Sequence, residues 1–282
     1  MLHLPAQATE ARYAATVTWE TFANGAYEVA TIQKEVHLFV QPNGQGYALD
    51  FRTSGPALTK PEDLEPLENM ALRLSALYEW VSVQAAPTGE VGALLNHEAL
   101  LQTWTRLSQE VQAATPEEDQ VTSTMLQFLT AQVQSPASFL RSLQHDYLYQ
   151  TLLPAVYEQP LSSTGKSPRT RQFSNFFDKT SLWFLEQLVL LPTSTTEHLL
   201  LRLSGNLDAQ KTDLTAVHEH IAQDLHLATG TEAAALPAPH FHYEATYRFE
   251  LTTGLPASIE LILYARAGQL YSKAYTLTIS RV

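Results

Sequence analysis

His240-Phe241-His242-Tyr243-Glu244-Ala245-Thr246-Tyr247-Arg248-Phe249-Glu250-Leu251 alternates without a break. Phe241, Tyr243, Ala245, Tyr247, Phe249 and Leu251 point one way, and His240, His242, Glu244, Thr246, Arg248 and Glu250 the other. A period of two marks a strand with one buried and one wet face, the habit of antiparallel sheets. Thr252-Thr253-Gly254 turns the chain into Ile259, Leu261 and Leu263, and Ala267-Gly268 turns it into Tyr271, Lys273, Tyr275, Leu277 and Ile279. The C-terminal segment therefore reads as a meander.

The N-terminus carries the same signal. Tyr13, Ala15, Val17 and Trp19 alternate with polar or small neighbours, and Asn24-Gly25 supplies the two positive φ angles of a type I′ hairpin. Tyr27 to Thr31, then Val36, Leu38 and Val40, and after Pro42-Asn43-Gly44 the set Tyr47, Leu49 and Phe51, extend the meander. Leu67, Met70, Ala71, Leu74 and Leu77 are spaced for a helix, Tyr78 to Val83 for a strand, and Pro87-Thr88-Gly89 turns into Glu90 to Leu95.

From Asn96 to Leu191 the spacing reads as helical. Asn96 stands where an N-cap belongs, ahead of Leu100, Leu101, Trp104, Leu107 and Val111. Pro116-Glu117-Glu118-Asp119 opens a helix striped by Val121, Met125, Phe128, Leu129 and Val133. Ser135-Pro136 opens another, with Phe139, Leu140, Leu143, Tyr147 and Leu148, and a loop from Gln159 to Thr170 leads to a fourth from about Ser174 to Pro192. Glu197 to Asn206 reads as a strand and Thr212 to Leu227 as a short helix.

Strands at both ends and helices between them have a simple solution: an α+β fold in which the N- and C-terminal meanders form one large curved antiparallel sheet, covered by the central helical block. One domain over 1–282 is the economical division. The alternative is a β domain from 1–95 and 192–282 with an inserted helical subdomain at 96–191. The layout resembles that of the periplasmic lipoprotein-carrier proteins, whose open barrel cups helices around an apolar cavity. That resemblance lies in the order of elements and implies a fold, not a function.

Composition narrows the chemistry. In 282 residues, 17 Lys and Arg stand against 29 Asp and Glu, and the formal charge of −12 repels phosphate backbones, so nucleic acid is not expected as a partner. The absence of cysteine removes disulfides, thiolate nucleophiles and cysteine-bound metal centres. The most apolar run, Leu182 to Leu191, is interrupted by Glu186 and Gln187 and is short of the roughly 18–20 residues of a membrane span. The chain reads as soluble and cytoplasmic as written. Ala6-Gln7-Ala8 has the small-x-small form of a cleavage site, so an upstream leader would make it periplasmic or exported.

Five of the ten histidines, His218, His220, His226, His240 and His242, fall within 25 positions. His240, His242 and Glu244 share one strand face and offer two nitrogens and an oxygen to a divalent metal, and His220 and Asp224 share a helix face at i, i+4. His218 and His220 point about 200° apart on a helix and do not share an ion. Thr164-Gly165-Lys166-Ser167 has the tail of a phosphate-binding loop, but Pro160 stands where its first glycine is required. Lys166, Arg169 and Arg171 are better read as a basic loop that meets an acidic partner. No nucleophile elbow, zincin motif or dinucleotide fingerprint occurs.

The reading reached is a non-enzymatic binding or interaction protein that uses its sheet face or the sheet–helix groove. A protein, a peptide or an apolar small molecule is the expected partner, and no cofactor is expected. The alternatives are a metal-dependent hydrolase using the His218–His242 region and a structural subunit of a bacterial envelope or secretion assembly.

Overall fold

Asn24 and Gly25 hold φ at 52° and 79° and fold Thr9–Ala23 (β1) back onto Ala26–Asn43 (β2) in unbroken register from Thr9 opposite Val40 to Ala23 opposite Ala26. In this computed structural model the described residues are 1–44, 46–59, 66–114, 119–159, 169–192, 196–227 and 236–282. Beyond β2 lie Gly46–Thr53 (β3), the short Ala57–Thr59 (β4), Trp80–Ala85 (β5) and Val91–Leu94 (β6). The C-terminal half supplies Arg169–Phe177 (β7), Thr180–Leu191 (β8), His198–Leu207 (β9), His240–Glu250 (β10), Pro256–Ala267 (β11) and Tyr271–Arg281 (β12).

The two halves join where β1 pairs antiparallel with β12, from Tyr13 opposite Arg281 to Ala23 opposite Tyr271. One sheet results, in the order β6-β5-β3-β2-β1-β12-β11-β10-β9-β8-β7, with β4 added on β2: twelve strands among the described residues. This is the α+β architecture with a large antiparallel sheet that the alternation implies. The apolar face of the decisive stretch is buried as expected at Tyr243, Ala245, Tyr247 and Phe249, while Leu251 falls in the following turn and is exposed.

Six α-helices accompany the sheet in the described residues: Pro66–Leu74 (α1), His97–Ala114 (α2), Gln120–Gln134 (α3), Pro136–His145 (α4), Tyr147–Leu152 (α5) and Leu214–Asp224 (α6). Side chains at their starts accept the free first-turn amides. Asp119 accepts from Val121 and Thr122, Ser135 from Ser138, Asp146 from Leu148 and Tyr149, and Asp213 from Ala216. The helix α4 packs against both β6 and β7, the two outer strands of the sheet, so the helices fill the gap that the curved sheet leaves. Sheet and helices share one continuous set of buried side chains, including Tyr13, Phe51, Phe139, Phe173 and Phe184. Burying each such ring contributes about 1.5–3 kcal/mol.

The fourth expected helix is instead the β7–β8 hairpin. Asn175 and Asp178 take φ of 60° and 48°, left-handed values that end a helix and that Asn and Asp tolerate best after Gly. The register slips between Phe173 and Phe177, which buries both Phe176 and Phe177. Leu182, Phe184 and Glu186 then face inward while Leu185 is exposed, a period of two. The helical block accordingly ends at Leu152, and the expected loop through Thr170 ends where β7 begins at Arg169.

Smaller differences have similar causes. The helix expected to run from Ser135 through Leu148 breaks at Asp146, whose extended backbone, φ −71° and ψ 128°, caps α5. The buried stripe of α3 is Thr122, Leu126 and Val133, while Val121 and Phe128 are exposed. Asn96 does precede α2, but its side chain serves β5: Oδ1 accepts from the Ser82 amide and Nδ2 donates to the Trp80 carbonyl, both at 2.9 Å. Residues 116–118, expected to open α3, lie outside the described residues. The N-terminal segment is packed, with Leu2 and Leu4 buried and the Leu2 carbonyl accepting from the Glu158 amide at 2.9 Å. No helix among the described residues is long and apolar enough to cross a membrane.

Candidate functional site

The gap between the outer strands is not filled completely. A cavity of about 550 Å³ lies between β5 and β6 on one side and β7 and β8 on the other, under α4 and α5. Its apolar wall is Phe51 of β3, Val81 and Val83 of β5, and Leu143 of α4. Both faces of β7 line it, Arg169 and Arg171 inward and Thr170 and Gln172 outward, so the cavity wraps the free edge of that strand.

The opposite wall is ionic and buried. Glu186 of β8, 2% exposed, receives Arg169 Nε on Oε2 and Arg171 Nη1 on Oε1, the latter at 3.4 Å. Tyr243 of β10 donates its hydroxyl to the same Oε1 at 2.5 Å. Arg169 continues to the carbonyls of Ala155 and Pro154, each at 3.1 Å, and so ties β7 to the chain that leaves α5. Arg171 Nη2 reaches Thr151 Oγ1 on α5 at 3.2 Å, and its guanidinium lies over the Phe173 and Tyr243 rings at 5.2 and 5.4 Å.

Alternation explains how these groups meet. Arg171 and Phe173 of β7, Phe184 and Glu186 of β8, Leu203 and Gly205 of β9, and Tyr243 of β10 occupy the inner face of adjacent strands. Charge then sets the protonation states. Burial alone raises the Glu186 carboxyl, but the Arg171 and Arg169 guanidiniums and the Tyr243 hydroxyl outweigh it and hold it below the ordinary carboxylate range. Burial and the neighbouring Glu186 push Tyr243 well up, and Tyr247 is pushed up to about 12 by burial against the opposing pull of Arg171. At neutral pH the cluster is two cations, one carboxylate and neutral phenols. His145, also on the wall, is lowered by burial and by Arg141.

Behind this wall two donors with almost no accessible surface, Arg171 Nε and Gln150 Nε2 of α5, make no well-aligned hydrogen bond. Tyr247 stands beside the guanidinium and interacts with it: the Arg171 charge opposes the rise that burial gives the Tyr247 hydroxyl. A buried donor without an acceptor carries a desolvation cost of about 1–3 kcal/mol.

The residues singled out from the sequence are placed elsewhere or differently. Arg169 and Arg171 belong to a strand and to an internal ion cluster instead of a basic loop, and Lys166 lies outside the described residues, as does the rest of 160–168. His240, His242 and Glu244 share the outer face of β10, where the His240 and His242 rings flank Tyr264 at 6.0 and 5.0 Å. His220 Nε2 lies 3.5 Å from Asp224 Oδ2, which also accepts from the Tyr271 hydroxyl at 2.9 Å. Among the described residues no three His, Asp or Glu gather closely enough to hold a metal ion. Sequence reasoning missed Glu186 as a site residue, although a lone carboxylate inside Leu182–Leu191 is a signal: on a buried strand face it requires a cationic partner.

No protein-family model and no curated protein matches this chain. Among solved structures it is compared with the dehydratase domain from the CurJ module of Curacin polyketide synthase, at 8% identity and a TM-score of 0.10, over 95% of this chain and 75% of that one. A likeness that weak carries no argument about fold or site.

Proposed function

We propose that this chain is a binding protein that holds a small organic molecule in the cavity between the outer strands of its sheet, beneath α4 and α5. The observation that carries the reading is the cavity itself. Its volume of about 550 Å³ falls within the roughly 300–1,000 Å³ of small-molecule sites, and it combines an apolar wall with a few convergent polar groups. The ion cluster supports binding over catalysis. Glu186 is held ionised and is already taken by two arginines and a tyrosine, which leaves it no free basicity with which to abstract a proton.

Trp183 lines the cavity. Titration of untagged protein with the neutral dye N-phenyl-1-naphthylamine is expected to give one saturable site and to quench part of the emission of the four tryptophans. Val83→Trp, which projects a larger side chain from the apolar wall into the cavity, is expected to abolish that binding while circular dichroism stays unchanged. Saturable binding that survives Val83→Trp, or no binding at all, overturns the reading. Native mass spectrometry of untagged protein reads any resident ligand and the assembly state in the same spectrum.

A further inference from the structure

Strand β7 ends the sheet: it pairs with β8 alone, and its other edge borders the cavity. Arg169, Thr170, Arg171 and Gln172, four consecutive residues, all line that space. Side chains of a strand alternate between its two faces, so a cavity that meets all four runs along the strand's edge. In an antiparallel ladder every second residue turns its N–H and C=O away from its partner. Within 169–172 those outward backbone groups bond to nothing among the described residues.

The opposite margin of the sheet is closed differently. On β6 the Val91 carbonyl already accepts from Gln144 Nε2 of α4 at 2.9 Å. No proline or lysine guards 169–172, and the irregularity of β7 lies further on, between Phe173 and Phe177. Inward charges guard an edge when an added strand would bury them unpaired. Here Glu186 already pairs with both Arg169 and Arg171.

Resting on the binding function proposed above, we infer that the small molecule is a short peptide in extended conformation, which adds as a strand to the free edge of β7. Unpaired backbone donors and acceptors in alternation are matched by the same groups of another chain. The edge offers four residues, and at a strand rise of about 3.4 Å per residue a peptide of about four residues spans it. Its side chains alternate as well. One set meets Phe51, Val81, Val83 and Leu143, and the other lies on the side of Thr170 and Gln172. The backbone supplies the affinity, and the apolar wall selects a sequence that alternates apolar with polar residues.

Three capped tetrapeptides, acetyl-Val-Thr-Val-Thr-amide and its Leu-Thr and Phe-Thr counterparts, serve as probes in calorimetry and in displacement of N-phenyl-1-naphthylamine. At least one is expected to bind one per chain, to displace the dye and to lose its site in Val83→Trp. With that peptide bound, hydrogen exchange at alternate amides within 169–172 is expected to slow at least about tenfold, an effect the dye does not reproduce. N-methylation of the peptide along one edge is expected to weaken binding at least about tenfold, and along the other edge to leave it within about twofold. Unchanged exchange at 169–172 with peptide bound, or equal effects of methylation on the two edges, overturns strand pairing while the cavity reading stands. Failure of all three peptides, with the dye still bound in wild type and lost in Val83→Trp, overturns the peptide as ligand. If dye and peptides all fail, the cavity reading falls and takes the inference with it.

Discussion

Glu186 and Tyr243 sit on strands that are not neighbours and still share a hydrogen bond of 2.5 Å. Both are registered to the same residue of the strand between them, Gly205. A β-carbon built on Gly205 would lie 2.9 Å from Phe184 Cβ, 3.2 Å from Tyr243 Cδ1 and 3.3 Å from the Leu185 carbonyl oxygen. The missing side chain is what lets the Tyr243 ring lie across β9 and reach the carboxylate.

Gly205→Ala is therefore expected to destabilise the fold by about 1–3 kcal/mol, the usual cost of overpacking. Phe184 Cβ is anchored to its own backbone and cannot swing aside. Urea denaturation of Gly205→Ala, Tyr243→Phe and the pair measures the coupling. The double variant is expected to cost less than the sum, since each change breaks the same bond. Strict additivity would show that Gly205 has no part in placing Tyr243.

Glu186→Gln is expected to cost about 3–5 kcal/mol, because it leaves Arg171 charged, buried and unpaired. Joint replacement, Arg171→Met with Glu186→Met, is expected to cost less than that single change, since no uncompensated charge remains. The pH dependence follows from the lowered carboxyl of Glu186. A carboxylate whose folded affinity for protons is depressed adds stability above its unfolded value of about 4.3 and loses it as pH falls through the folded value. Wild-type urea midpoints should thus drop more steeply in acid than those of Glu186→Gln.

The sheet was legible in the sequence because its signal is local. Tyr243 to Phe249 alternate, and Asn24-Gly25 can hardly do anything but turn a hairpin. The β7–β8 hairpin was not legible, since Phe173, Phe176 and Phe177 mimic helical spacing through a bulge whose cause is two left-handed residues, Asn175 and Asp178. That one misreading hid the site. With Leu182–Leu191 read as a helix, Glu186 merely interrupts an apolar run; as a strand, it points inward beside Phe184 and demands Arg171. The cavity depends on how far a curved sheet stops short of closing, a property of the whole sheet that no window of residues records.

Asp146 caps α5 by accepting from the Leu148 and Tyr149 amides at 2.9 and 3.1 Å. It reaches solvent, but from a position surrounded by protein, and that enclosure raises its carboxyl above the ordinary value despite the opposing amides and Lys34. A carboxyl that holds its proton more tightly when folded lowers stability as pH rises across the window from its unfolded to its folded value, and the loss persists at neutral pH. Asp146→Asn keeps a capping oxygen and removes the charge. It is expected to raise the urea midpoint at pH 7 and to match wild type near pH 3. A lower midpoint at pH 7 would show that the helix terminus and Lys34 favour the ionised form more than enclosure disfavours it.

Gly254 tests how the N-terminal segment is held. Its φ is +68°, and a β-carbon there would stand 1.8 Å from the His3 carbonyl oxygen, a contact with backbone that no rotamer change relieves. The segment is fixed on both sides of that point. Leu2 and Leu4 are buried, the Tyr47 hydroxyl donates to the Leu4 carbonyl at 3.4 Å, and His3 Nδ1 meets Glu158 Oε1 at 2.5 Å. Gly254→Ala is expected to expel residues 2–4 before it disturbs the sheet, because β10 and β11 are held by their own ladder of backbone bonds. Hydrogen exchange should then show protection lost at the Glu158 amide, which donates to the Leu2 carbonyl, with β10 and β11 still protected. The unfolding free energy should fall by about 2–4 kcal/mol, the scale of withdrawing one or two buried leucines from the core. Unchanged protection at Glu158 would mean that the turn at Gly254 yields instead, and that the segment is the more firmly seated of the two.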